Sequence, residues 1–251
     1  MNRISLGMLS IACVALTAAP ATAQPIGACI DLATYVSPDG VAEQNFRQGL
    51  RYFDQKQYGA ALPYLTQAAQ RNHPRAQELM DQVYMFGLGV TPDAKQALRY
   101  MTASAAQGHR GAMKDAGAYY SYVEVDLLKA NRYFLAAAQC GELESMVELG
   151  LNYELARGVA WNRQQAIYWL SRAAPHWGQA QWIVDGLRQP GTPRFQNVDQ
   201  LFQYIARSHN APISHPSSGF PRPGTPSCYQ SVSVYCVGDP TSLAYRRAHG
   251  Q

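Results

Sequence analysis

Histidine and cysteine are the residues of this chain best equipped for chemistry, and their spacing excludes most of it. His73 and His109 stand 36 residues apart, each just after a helical pattern ends, and recurrence at one period favours a capping role over catalysis. His176, His209, His215 and His249 are scattered. Cys228 and Cys236 form C-x7-C without the second Cys or His pair that a zinc site requires. Glu142 and Glu144, like Glu124 and Asp126, lie two residues apart and read as surface acids rather than as a tuned acid and base. The chain has no HExxH, no GxSxG, no Gly-rich phosphate loop and no nucleophilic cysteine with a recognisable partner pattern. Neither catalysis nor a cofactor or metal is expected. What remains for the cysteines is cross-linking.

Whether they cross-link depends on the compartment, which the N-terminus addresses. Arg3 gives a short positive region, Ile4 to Ala19 is apolar, and Ala21-Thr22-Ala23 is an A-x-A cleavage site. Residues 1–23 therefore read as a signal peptide, and periplasmic export of the mature chain is expected. Ile26-Gly27-Ala28-Cys29 passes loosely as a lipobox that would acylate Cys29, but polar Gln24 and Pro25 separate it from the apolar run, so the unanchored reading is preferred. No later stretch reaches the roughly 18 apolar residues of a membrane span. After cleavage Cys29, Cys140, Cys228 and Cys236 remain and allow three pairings. A Cys228–Cys236 bond closing a small loop is favoured, with Cys140 as a buried free thiol near a helix end. The mature chain keeps 20 Lys and Arg against 17 Asp and Glu, spread through its length, which argues against nucleic acid as a partner.

These residues sit on elements that repeat. Ala97, Tyr100 and Ala105 recur as Ala130, Tyr133 and Ala138, again as Ala166, Trp169 and Ala174, and 36 residues upstream as Ala61, Tyr64 and Ala69. Ala76, Met80 and Tyr84 lie four apart, as do Ala112, Ala116 and Tyr120, and Ser145, Leu149 and Tyr153, so each set marks one stripe of a first helix, helix A. Gly87 to Val90 breaks that helix, and Asp93, Asp126 and Asn162 are N-caps for a second, helix B. Helix B is expected to end at Gly108, Gly141 and Gly178. Alanines at the crossing bring two helices close, and the Tyr or Trp of one hairpin is expected to be sheltered by the next.

The run A-x3-L-G-x2-Y-x4-G-V-x2-N-x3-A-x2-W-x3-A-A, as it stands from Ser145 to Ala174 with serine leading, resembles the Sel1-like repeat, a relative of the tetratricopeptide repeat. The unit from Ala112 departs from it, with SYVEVD in place of the Gly-x-Gly-Val loop and three residues missing. The resemblance implies an all-α fold, an α/α solenoid of four to five helix-turn-helix units over residues 41–208. An irregular lead at 24–40 precedes it, Ala180 to Ser208 forms a degenerate end unit, and residues 209–251 form an irregular Pro- and Ser-rich tail.

The same resemblance implies a scaffold whose A helices read a partner. The positions outside the Ala/Tyr stripe are Glu78, Gln82 and Met85, then Lys114, Ala118 and Ser121, then Val147, Leu151 and Glu154. Their mixed chemistry suits another envelope protein as ligand. Tyr119, Tyr122, Phe134, Trp161, Trp177 and Trp182 are additional candidates for an exposed aromatic patch. Two alternatives carry other functions: β-lactam binding or hydrolysis, as in a cysteine-rich branch of this repeat family with a disulfide in every unit, and cell-wall glycan binding through Trp161, Trp177 and Trp182.

Overall fold

The structure, a computed structural model, describes residues 26–31 and 34–209. Ten helices and no strand occur among them: α1 (Gly40–Asp54), α2 (Tyr58–Gln70), α3 (Pro74–Phe86), α4 (Ala94–Ala106), α5 (Arg110–Tyr122), α6 (Leu127–Gln139), α7 (Leu143–Leu155), α8 (Arg163–Ala173), α9 (Gly178–Arg188) and α10 (Val198–His209). Odd and even helices pair as the A and B members of five hairpins, and each hairpin packs on the next through its B helix, giving the α/α solenoid expected from the repeat.

Local chemistry sets the boundaries. Asp93 accepts hydrogen bonds from the backbone N–H groups of Lys95 and Gln96, Asp126 from Lys129, and Asn162 from Gln165, so all three polar residues cap as their positions require. Pro74 opens α3, where a missing N–H costs nothing. Gly87 closes α3 in the left-handed region. Gly178 is different: α8 stops at Ala173, ahead of Pro175, and Gly178 is the first residue of α9. Proline, not glycine, ends that helix, since it has no N–H to continue the ladder.

Small residues let the two helices of a hairpin cross closely. A Cβ on Gly49 would lie 2.7 Å from Leu65, on Gly117 2.7 Å from Phe134, on Gly150 2.7 Å from Leu170, and on Gly186 2.0 Å from Ile205. In α3 the same register holds Asp81, opposite Met101 in the register of the large B-helix residues. The aromatics also differ from expectation. Tyr52 stacks on Tyr64, Tyr84 on Tyr100 and Tyr120 on Tyr133, so a ring finds its partner within its own hairpin rather than in the next. Trp169 is buried, and Phe134 and Tyr119, candidates for an exposed patch, are core.

The lead is part of the fold. Gly27 N–H donates to the Ala105 carbonyl and Ile30 N–H to that of Gly108, while Ile26 packs among Ala105, Ala112, Met113 and Ala137. The approach leaves no room for side chains: a Cβ on Gly108 would sit 1.7 Å from the Ala28 oxygen. A disulfide joins Cys29 to Cys140 at the end of α6, 111 residues away. Cys140 is therefore not a free thiol. Acylation of Cys29 would need the same sulfur, which this bond uses. The favoured Cys228–Cys236 loop, residues 1–25 and the Pro-rich tail lie outside the described residues.

Candidate functional site

Side chains from successive A helices meet at the junctions between hairpins. His73 caps α3 by accepting the Ala76 N–H on Nδ1, and its Nε2 lies 3.2 Å from Glu43 Oε2 on α1. His109 repeats this at α5, accepting the Ala112 N–H, with Nε2 3.1 Å from Glu78 Oε2, although the two are not aligned as a hydrogen bond. Each histidine joins a helix start to the preceding hairpin, which is why the pair recurs at the repeat period. Burial pushes the His73 imidazole below its ordinary range. Burial also opposes ionisation of Glu43, but the Ser37 N–H, Arg47 and His73 outweigh it and hold that carboxyl at about 2.

At the third junction the signs are exchanged. Glu142 caps α7 through the Ser145 N–H, and Lys114, in the register of Glu78, lies 3.3 Å from both Glu144 and Asp115. Burial works against the Lys114 charge, yet Asp115 and Glu144 more than compensate and raise the ammonium above its ordinary range. Asp81 lies beside this group, fully buried, with no hydrogen-bond partner for either carboxylate oxygen among the described residues. Burial, then the charges of Asp115 and Glu78, drive its acid well above the ordinary carboxylate range. Asp115 is also raised by burial, against the attraction of Lys114.

The expected partner face divides on inspection. Glu78, Gln82 and Lys114 are half-buried and present atoms to solvent. Met85, Ser121, Leu151 and Glu154 are buried, as are Ala118 and Val147, and cannot meet a partner in this conformation. Helical spacing places all of them on one side of their helices but says nothing about what packs there. Glu154 serves the fold instead. Arg163 Nη2 and Nε donate to its two oxygens at 2.6 and 3.2 Å, and the same guanidinium donates to the Thr192 and Pro193 carbonyls at 2.8 and 2.6 Å. That network ties the segment before α10 to α7 and α8. Trp161 is 40% exposed, with the Arg163 and Arg194 guanidinium groups over its ring, and Trp182 stacks on His209.

Among the described residues no group of three His, Cys, Asp or Glu side chains is placed to hold a metal ion, and no helix is long and apolar enough to cross a membrane. Sequence reasoning missed the buried acid. The signal was available: the glycine of the L-G-x2-Y pattern is Gly117 and Gly150 in two units and Asp81 in the other.

Residues 82–109, 111–142 and 143–174 match the Sel1 repeat family. The chain carries three Sel1 repeats. They correspond to the later part of α3 with α4, to α5 with α6, and to α7 with α8. Among solved structures the chain is similar to a Sel1 repeat protein from Oxalobacter formigenes, at 23% identity and a TM-score of 0.56, covering 65% of this chain and 70% of that one. It is likewise similar to c5321, a protective antigen of uropathogenic Escherichia coli strains displaying an SLR fold, at 24% identity and a TM-score of 0.56 over 66% of this chain. The match spans only 38% of c5321. At such identities the likeness is one of fold. No curated protein sequence matches the chain.

Proposed function

We propose that this is a non-catalytic protein that binds another protein of the bacterial envelope through the A-helix face of its Sel1 repeats. Sel1 repeat proteins mediate protein–protein interaction, and stacked hairpins offer a long surface built from successive units. The observation that carries the reading is the partly exposed group Glu78, Gln82 and Lys114, contributed by two neighbouring A helices, with Glu78 beside His109 and Lys114 paired to Asp115 and Glu144. A cation flanked by acids on a rigid frame suits a partner with its own mixed charges and gives selectivity more than raw affinity. Export is supported by the signal-peptide pattern of residues 1–23 and by a disulfide of the kind that persists in oxidising compartments.

Affinity capture from envelope extracts, read by mass spectrometry, tests the proposal. Gln82→Glu and Gln82→Ala should each reduce recovery of the wild-type partner by about tenfold while circular dichroism is unchanged. Undiminished capture by both variants overturns the assignment of this face. Glu154 is unsuitable for such a test, because reversing its charge strands Arg163.

A further inference from the structure

The cavity that calls for an occupant lies on the B-helix side, away from the proposed partner face. A hollow of about 310 Å³ between α4 and α6 is lined by Leu98, Arg99, Tyr120, Arg132 and Tyr133, with Ile26 of the lead at its edge. Its floor is the Tyr120–Tyr133 stack, two rings 5.6 Å apart and within 11° of parallel. The described lining has three cations, Arg99, Arg132 and Lys129, and no carboxylate. Lys129 lies 5.1 Å over the Tyr120 ring and is paired with Asp126 at 3.0 Å, so the two arginines are the charges an incoming group would meet. Burial raises both phenols above their ordinary range, keeping them neutral and leaving the positive sign of the site unopposed.

The hollow occurs where the repeat is irregular. In the preceding hairpin Leu88 and Val90 of the Gly-rich loop join the apolar cluster that holds Tyr84 and Tyr100. The shorter loop of the next unit instead sends Val125 into solvent, 71% exposed, in a left-handed conformation uncommon for a β-branched residue. The lead contributes Ile26 to the lining and is held there by two backbone hydrogen bonds and the Cys29–Cys140 bond. A volume at the lower end of small-molecule sites, walled by the chain itself, suits a compact ligand rather than a passing peptide.

We infer that this hollow binds a small anion with a flat apolar body, such as an aromatic carboxylate or sulfonate, stacked at the Tyr120–Tyr133 floor and charge-paired with Arg99 and Arg132. The test uses the oxidised protein and 1-anilinonaphthalene-8-sulfonate as probe, with the uncharged N-phenyl-1-naphthylamine as its twin. One equivalent of the sulfonate should bind, the neutral twin at least about tenfold more weakly, and Arg99→Glu and Arg132→Glu should each cost about tenfold in affinity. Arg188→Glu, on the exposed end of α9, should change nothing. Arg99→Gln and Arg132→Gln, giving smaller losses in the same direction, keep the test valid if either reversal fails to fold. Absence of binding, equal binding of the neutral twin, or binding indifferent to both arginines overturns the inference. So does displacement of the probe by an acidic peptide but not by 2-naphthoate, which would assign the hollow to a protein partner. Envelope capture through Gln82 is read separately, so either result can fail alone.

Discussion

The α3/α4 crossing and the other four crossings do the same job with opposite chemistry. At Gly49, Gly117, Gly150 and Gly186 a missing side chain lets the A helix close on Leu65, Phe134, Leu170 and Ile205. At Asp81 a carboxyl is buried without a partner among the described residues, and the register opposite holds Met101, a flexible side chain suited to filling irregular space. The difference teaches that the register filled by glycine at four crossings admits a buried acid at the fifth. Whether that acid destabilises is a question of proton occupancy, since a neutral buried acid beside Asp115 and Glu78 costs far less than an ionised one.

Three measurements break or sharpen the contrast. The largest effect is expected from Gly150→Asp, which drives a carboxyl against Leu170; a loss on the order of 3–5 kcal/mol in urea unfolding is expected. A loss below about 1 kcal/mol would mean that every crossing accepts an acid as readily as α3 does.

Next comes Asp81→Asn, expected to stabilise by about 1–3 kcal/mol near neutral pH. The folded-state pKa of Asp81 is raised, so the folded protein holds a proton that the unfolded chain releases above its ordinary value of 3.8. Stability from this group is fully present below that value and declines as pH rises towards the folded pKa. The advantage of the variant should therefore vanish near pH 4 and grow on the alkaline side. A constant advantage would show that shape, not the proton, is the cost.

The smallest effect belongs to His73→Gln, about 1 kcal/mol from the lost cap. Here the sign reverses. Burial lowers the folded pKa of His73 below its ordinary 6.5, so its contribution is complete above 6.5 and declines as pH falls below it. The variant should flatten the acid limb of the wild-type stability profile between pH 6.5 and about 4.5, above the range where Glu43 begins to protonate.

The elements were legible because they follow local rules. Asp93, Asp126 and Asn162 cap where polar side chains can reach free N–H groups, and the stripes through Tyr84, Tyr120 and Tyr153 mark helices whatever surrounds them. The candidate site was legible only in part. Met85, Leu151 and Glu154 have the spacing of a presented face, yet their neighbours come from elsewhere in the chain, and Arg163, nine residues beyond Glu154, fixes that acid inside. The Cys29–Cys140 bond was out of reach for the same reason, since the lead has no period that would place it on α6. Gly108 reads from spacing as a helix stop, which it is, with φ of +93°. Its second reason, the Ala28 carbonyl pressed against it, needs a long-range contact that spacing along a helix does not encode.

That tether also links the fold to the redox state around it, because Cys29 and Cys140 stand 111 residues apart in the chain. The bond closes a covalent ring that encloses three hairpins, so reducing it gives the unfolded chain back the freedom of a 111-residue loop, a loss on the order of 4–5 kcal/mol by chain entropy.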